Sequence, residues 1–515
     1  MKSIQFQKST NKLLPYVFFC GLILLFTYGS TLGTGDMALS MRLGQGGFRS
    51  WIKEAGASGG NYLSSFLGAM MVDIPLLRHI LVAGMLCTTL ITLVFYSGAQ
   101  KPYMYFVILF LGLAAPAKIF AYSFTGAVEP AVMLIPGFLT ILYLFTVSDL
   151  FVYKGKKKMW KIPLLFVSGL TVQFFTESIG TSVLIMSVIF LICLWKKHGF
   201  SWHLGAHSFG CVLGFVFSMI IGGTRDAFSN SLFEISDRWT VALDQLFIDN
   251  ILIMVLLTLA CLLLIRPVRS QRSKNCNKTL ALLLIPMGVF LLFYVINDAF
   301  VAFPTIVRVL SIVKLVASVM YSIGLLHTLC YYVKKDSIVY RVRCGILGLW
   351  IFIFAYSVTS TALPGMLYIP YLLLISFIVL LGTYSFRYYD HLEKVLGKPF
   401  FITAVAGVLA FAFVTMVNGK YFEVFDTHIR EGLEAGNTEI VLPIAPYEDR
   451  MTNTDLTVLS EYYDFSACGN VELIYVPYAD WDWDTYYEVH NVPSAEEYDE
   501  EAEETADWDH EFEED

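Results

Sequence analysis

The feature that most limits what this chain can become is a train of about thirteen apolar blocks separated by short polar segments. Most are long enough to cross a hydrocarbon core of roughly 30 Å. Backbone placed in hydrocarbon has to satisfy its own hydrogen bonds, so such blocks fold as helices. Four of them span 13–33, 103–122, 162–176 and 247–265. Composition agrees, since only 15% of the 515 residues are charged and the mean hydropathy is +0.63. Soluble chains carry about 25% charged residues. A soluble enzyme and a disordered scaffold are both excluded. The expected fold class is an all-α polytopic membrane protein with about 13 transmembrane helices.

The net charge of −8 hides two unlike parts. Residues 1–418 carry 32 Lys and Arg against 15 Asp and Glu, whereas 419–515 carry 3 against 28. Segments that alternate along the membrane part hold 23 of the 35 basic residues, among them Lys154, Lys156, Lys157, Lys158, Lys334 and Lys335. The positive-inside rule therefore puts the N-terminus in the cytoplasm and, with an odd helix count, the C-terminus outside. Two outer segments are long, 34–77 and 224–246. The first mixes aromatic, apolar and charged positions and reads as one or two helices along the membrane surface.

Three parts are expected: a membrane domain over 1–418, an exposed region over 419–493, and a tail over 494–515. Within the exposed region, YFEVFDTHIREGLEAG has helical periodicity, while TEIVLPI and VELIYVPY read as strands, giving a small α/β appendage. The tail has 13 acidic residues in 22, too few apolar groups to pack, and is expected to be disordered. The nine cysteines are scattered with no CxxC, and the nine histidines show no zinc-ligand spacing.

Charged residues at the expected outer helix ends are the candidate site. Asp36 follows the first helix at the lipid–water boundary, where a general base or metal ligand acting on a lipid-linked substrate has to stand. Its plain alternative is a solvated aspartate in a glycine-rich turn. Glu177, in FFTESIG, is either a partly buried functional carboxylate or part of a Thr-Glu-Ser helix start. Lys118 and Glu129 bracket one outer loop. Lys118 is a phosphate partner or a snorkelling lysine, and Glu129 with Pro130 suits a helix start or an acidic site lining. Arg225 can fork onto a phosphate or sit at the interface. Arg308 enters the membrane from the outer side with Lys314 about two turns deeper, which calls for an anionic ligand or an acidic partner such as Asp298. No Walker loop, GxSxG or HExxH competes.

Asp36 together with SFTGAVEP (123–130), FFTESIG (174–180), GGTRDA (222–227) and FPTIVR (303–308) resembles bacterial GT-C-type membrane glycosyltransferases, near a GtrII-like multipass group. The resemblance spans most of the membrane part. It implies transfer of a sugar from a polyprenyl-phosphate donor to a glycan or lipid acceptor of the cell envelope, in the bacterial cytoplasmic membrane. It casts Asp36 as the base or metal-placing ligand, with Glu129 and Glu177 shaping the acceptor or metal site. Lys118, Arg225 and Arg308 then hold the donor phosphate. A divalent metal is the one cofactor it admits, and membrane lipid rather than nucleic acid is the expected surrounding. Two other classes stay open from the residues: a transporter or flippase of lipid-linked glycans, and a non-catalytic surface protein.

Overall fold

The computed structural model describes residues 2–29, 36–37, 62–72, 74–98, 101–126, 128–152, 159–222, 232–265, 273–296, 304–333, 335–359, 363–386, 389–451, 459–460, 462–465, 471–477 and 480–481. The tail, most of the first long segment, Arg225 and Asp298 lie outside the described residues.

The described chain is helical almost throughout. Its helices are α1 (Lys2–Tyr28), α2 (Tyr62–Val72), α3 (Pro75–Ser97), α4 (Pro102–Leu113), α5 (Ala117–Phe124), α6 (Val128–Val152), α7 (Lys161–Val172) and α8 (Glu177–His198). There follow α9 (Trp202–Gly222), α10 (Leu232–Leu243), α11 (Ile251–Ile265), α12 (Ser273–Ile296), α13 (Pro304–Tyr332), α14 (Asp336–Val358), α15 (Tyr368–Phe386) and α16 (Asp390–Glu434). Prolines open α3 and α4, where the missing N–H costs nothing. The hydroxyl of Thr176 caps α8 by accepting from the Ile179 N–H at 3.2 Å, and Lys196, Lys197 and His198 close it where the dipole favours cations. Gly98 ends α3 at φ 68, a conformation that a side chain would strain.

Among the described residues, nine helices are long and apolar enough to cross a membrane, or up to eleven if each of two bent pairs counts as one span. The chain is an all-α polytopic membrane protein. The blocks at 13–33 and 162–176 are shorter as folded, over Pro15–Tyr28 and Lys161–Val172. The twelve residues of α7 rise only about 18 Å. The block at 103–122 is not one rod: α4 and α5 meet at 101° across Ala114–Pro116, where proline interrupts the hydrogen-bond ladder. The block at 247–265 begins earlier than expected. Helix α10 runs into a π-helical turn, Asp244–Ile248, and α11 leaves at 58°.

Packing follows burial. The span Pro364–Phe386 is central, with 89% of its apolar window buried, whereas the span that includes α16 has 17%. Ile220, Val295 and Leu76 point outward as lipid-facing apolar surface. Helices α7 and α9 approach closely through small residues. A Cβ on Gly169 would stand 2.3 Å from the His207 carbonyl, and one on Gly210 2.3 Å from the Phe166 carbonyl.

The chain divides into two compact units. The first is Met1–Gly419 with Tyr447–Tyr462, and the second is Lys420–Pro446 with Tyr463–Asp515. In the first, the short helical turn Glu448–Arg450 packs on α5. The Arg450 guanidinium donates to the Ala115 carbonyl at 3.4 Å and lies 5.0 and 5.2 Å from the Phe120 and Phe411 rings. It therefore meets a carbonyl freed by the α4–α5 break. Burial pushes the Arg450 guanidinium below its ordinary pKa, against the opposing pull of Asp449. In the second unit, β1 (Glu439–Pro443) and β2 (Glu472–Val476) pair in parallel. The end of α16 is fixed there by Tyr463 donating to Asp426 at 2.7 Å and by Arg430 pairing with Asp426 at 3.0 Å.

A candidate carboxylate site at the helix ends

The end of α1 is tied to the start of α3. His79 Nδ1 lies 2.8 Å from the Thr27 carbonyl, and the Thr27 hydroxyl donates back to the His79 carbonyl at 3.4 Å. Helix α3 is in turn bound to α6, where Thr89 donates to the Leu134 carbonyl at 2.9 Å. These ties bring three charged groups together. Asp36 is wholly buried and accepts the Val128 N–H, the first of α6, at 2.9 Å. Arg78, one turn into α3 and also buried, lies close enough to interact with Asp36 as an opposite charge. Glu129, in the first turn of α6, is its like-charged neighbour. Asp36 is thus not the solvated loop aspartate of the plain alternative. A carboxylate at a helix start is favoured by the N–H groups and the dipole there, so the same contact also stabilises α6.

Glu177 is the first residue of α8. Helix α2 connects its surroundings to the cluster's helices. The Leu63 N–H donates to the Phe174 carbonyl at 2.9 Å and the Ser64 hydroxyl to the Phe175 carbonyl at 2.9 Å, while α2 packs on α3 and α6. Thr176 rather than Glu177 performs the capping. Two carboxylate oxygens, Glu129 Oε2 and Glu177 Oε1, are buried with no hydrogen-bond partner among the described residues. A buried acceptor left without a donor costs on the order of 1–3 kcal/mol or more. Such atoms suit a ligand that brings hydroxyl or amide donors.

Of the three expected phosphate partners, only Lys118 has a described side chain. Lys118 is exposed in the first turn of α5. Arg308 stands near the start of α13 but its side chain lies outside the described residues, as does all of Arg225. Lys314 pairs with Asp244 at 2.7 Å, because the π-helical turn of the bent pair carries Asp244 beside α13; the expected partner Asp298 lies outside the described residues. Arg78 is the cation that the sequence reasoning passed over. The signal was available: it is a basic residue at the outer end of an apolar block, the same feature that singled out Arg308. Among the described residues no three His, Cys, Asp or Glu side chains gather to hold a divalent metal. Compared with protein-family models, curated proteins and solved structures, the chain matches none.

Proposed function

We propose that the chain transfers a sugar from a polyprenyl-phosphate donor to a cell-envelope glycan or lipid acceptor, as a GT-C-like enzyme of the bacterial cytoplasmic membrane. On this reading its N-terminus is inside, its C-terminus outside, and about thirteen helices cross the bilayer. The observation that carries the reading is the buried Asp36, held by the start of α6 with Arg78 and Glu129 beside it. The acceptor hydroxyl gives its proton to the Asp36 carboxylate and its oxygen bonds the anomeric carbon. The bond from that carbon to the donor phosphate oxygen breaks, and polyprenyl phosphate leaves with the electron pair. Arg78 opposes the charge of Asp36 as the proton moves. The unpartnered oxygens of Glu129 and Glu177 accept from sugar hydroxyls. Lys118, Arg225 and Arg308, basic residues of the same expected face, hold the donor phosphate.

A second reading, carriage of a lipid-linked glycan across the bilayer, is supported by a different observation. The Lys314–Asp244 pair sits where α10 and α11 meet at 58°, and α4 and α5 form another broken helix. Broken helices with ionisable groups are a transporter feature. Purified protein in vesicles, given a polyprenyl-phosphate sugar and an acceptor, separates the two. Release of free polyprenyl phosphate with a new glycoside supports transfer. Movement of the intact donor between leaflets without its breakdown sinks it.

A further inference from the structure

An apolar groove of about 410 Å³ opens between three helices and is lined by Pro15 and Phe18 of α1, Pro102, Tyr103 and Phe106 of α4, and Phe401 of α16. The three helices run side by side in the same direction, Tyr16 meeting Tyr105 on one side of α4 while Phe106 and Phe110 meet Phe401 and Phe411 in turn. Aromatic residues of the three helices meet along the groove: Phe106 packs on Phe401 at 4.9 Å and on Phe18 at 5.6 Å between ring centroids. Lysines precede the lining residues along these helices. Lys101 immediately precedes Pro102, and its side chain is exposed. Lys394 and Lys398, both exposed, precede Phe401 by seven and three residues, so they share its helix face. A Cβ on Gly397, between them, would stand 3.7 Å from the Tyr103 ring, which fixes that face toward α4. Lys8 and Lys12 stand at the same spacing before Pro15 in the sequence. Asp390 and Glu393, at the start of α16, are the acidic positions there, and they leave the basic residues in excess.

We propose that this groove holds an acyl chain of an anionic glycerophospholipid, with the phosphate headgroup resting on Lys101, Lys394 and Lys398. Apolar walls exclude water and take a hydrocarbon chain, and the basic rim selects a negative headgroup over a zwitterionic one. The limited volume, about 410 Å³, fits a segment of acyl chain better than the long branched chain of a polyprenyl phosphate. The proposal is independent of the transferase reading.

Native mass spectrometry of the full chain in detergent, with phosphatidylglycerol, phosphatidylcholine of the same chains, or undecaprenyl phosphate added, tests it. Phosphatidylglycerol should be retained about tenfold or more above phosphatidylcholine. The double variant Lys394→Gln/Lys398→Gln, altered only at exposed positions, should lose that preference while its thermal unfolding is unchanged. Phe18→Trp, which fills the groove, should lower retention of both phospholipids. Equal retention of the two phospholipids by the parent would overturn the proposal. So would an unchanged preference in the double variant, or tighter retention of undecaprenyl phosphate than of phosphatidylglycerol.

Discussion

Arg450 is a residue whose replacement should loosen one helix and leave the rest of the bundle in place. Its guanidinium reaches the Ala115 carbonyl at 3.4 Å and lies within 5.2 Å of two aromatic rings. The hydrogen bond is long, so it contributes at the low end of the range for a charged donor, about 1.5 kcal/mol. Each partly desolvated cation–π contact adds about 0.5–1 kcal/mol. Arg450→Met loses the donor and the charge, but its sulfur against the two rings returns about 0.5–1.5 kcal/mol, so a net of about 2 kcal/mol should go. The loss is local, because the main chain of residue 450 still accepts from Thr125 at 3.4 Å. Hydrogen exchange read by mass spectrometry should show the amides of α5 opening about 30-fold more often, since each 1.4 kcal/mol is tenfold. The segment following α5 leads to the Val128 N–H that holds Asp36, so sugar transfer should fall as well. Unchanged exchange in α5, or an even rise through every helix, would refute the idea that Arg450 braces the broken span.

Three further outcomes follow from packing and charge. Gly210→Leu should destabilise the protein by about 1–3 kcal/mol, because its side chain would meet the Phe166 carbonyl, whereas Gly288→Leu, with nothing within 4 Å, should leave thermal unfolding in detergent unchanged. Lys314→Met should cost about 3–5 kcal/mol by leaving the Asp244 carboxylate without its cation, and adding Asp244→Leu should recover most of that in a double-mutant cycle. For topology, an impermeant thiol reagent on cysteine-free protein in intact cells should label Glu472→Cys and reach Lys335→Cys only after permeabilisation; the reverse pattern would turn the Asp36 end of the bundle toward the cytoplasm.

What local chemistry controls was legible in the sequence. Apolar blocks gave the membrane class because hydrocarbon demands internally bonded backbone. Alternating TEIVLPI and VELIYVPY became β1 and β2, although their parallel pairing, a contact between distant residues, left no local mark. The breaks were harder. Ala114-Ala115-Pro116 sits in a continuous apolar run, and only the proline hinted that α4 would turn by 101°. Nothing in DQLFI announces a π-helical turn, so the pairing of Lys314 with Asp244, seventy residues away, leaves no mark in the sequence. The first carboxylate of the site was visible as a charge beside a helix end. Its burial was not, because that depends on the start of a helix ninety-two residues away.

The measurement that tests the central claim most directly is the rate of sugar transfer by Asp36→Asn in reconstituted vesicles, with folding checked by thermal unfolding. Asparagine keeps an oxygen that can accept the Val128 N–H and removes the basicity, so helix α6 should stay capped while the chemistry fails. We predict a normally folded protein whose transfer rate falls about 10²–10⁴-fold, the usual loss for a general base. Transfer at the parental rate by a folded Asp36→Asn protein would contradict the account and leave Asp36 as the cap of α6 alone.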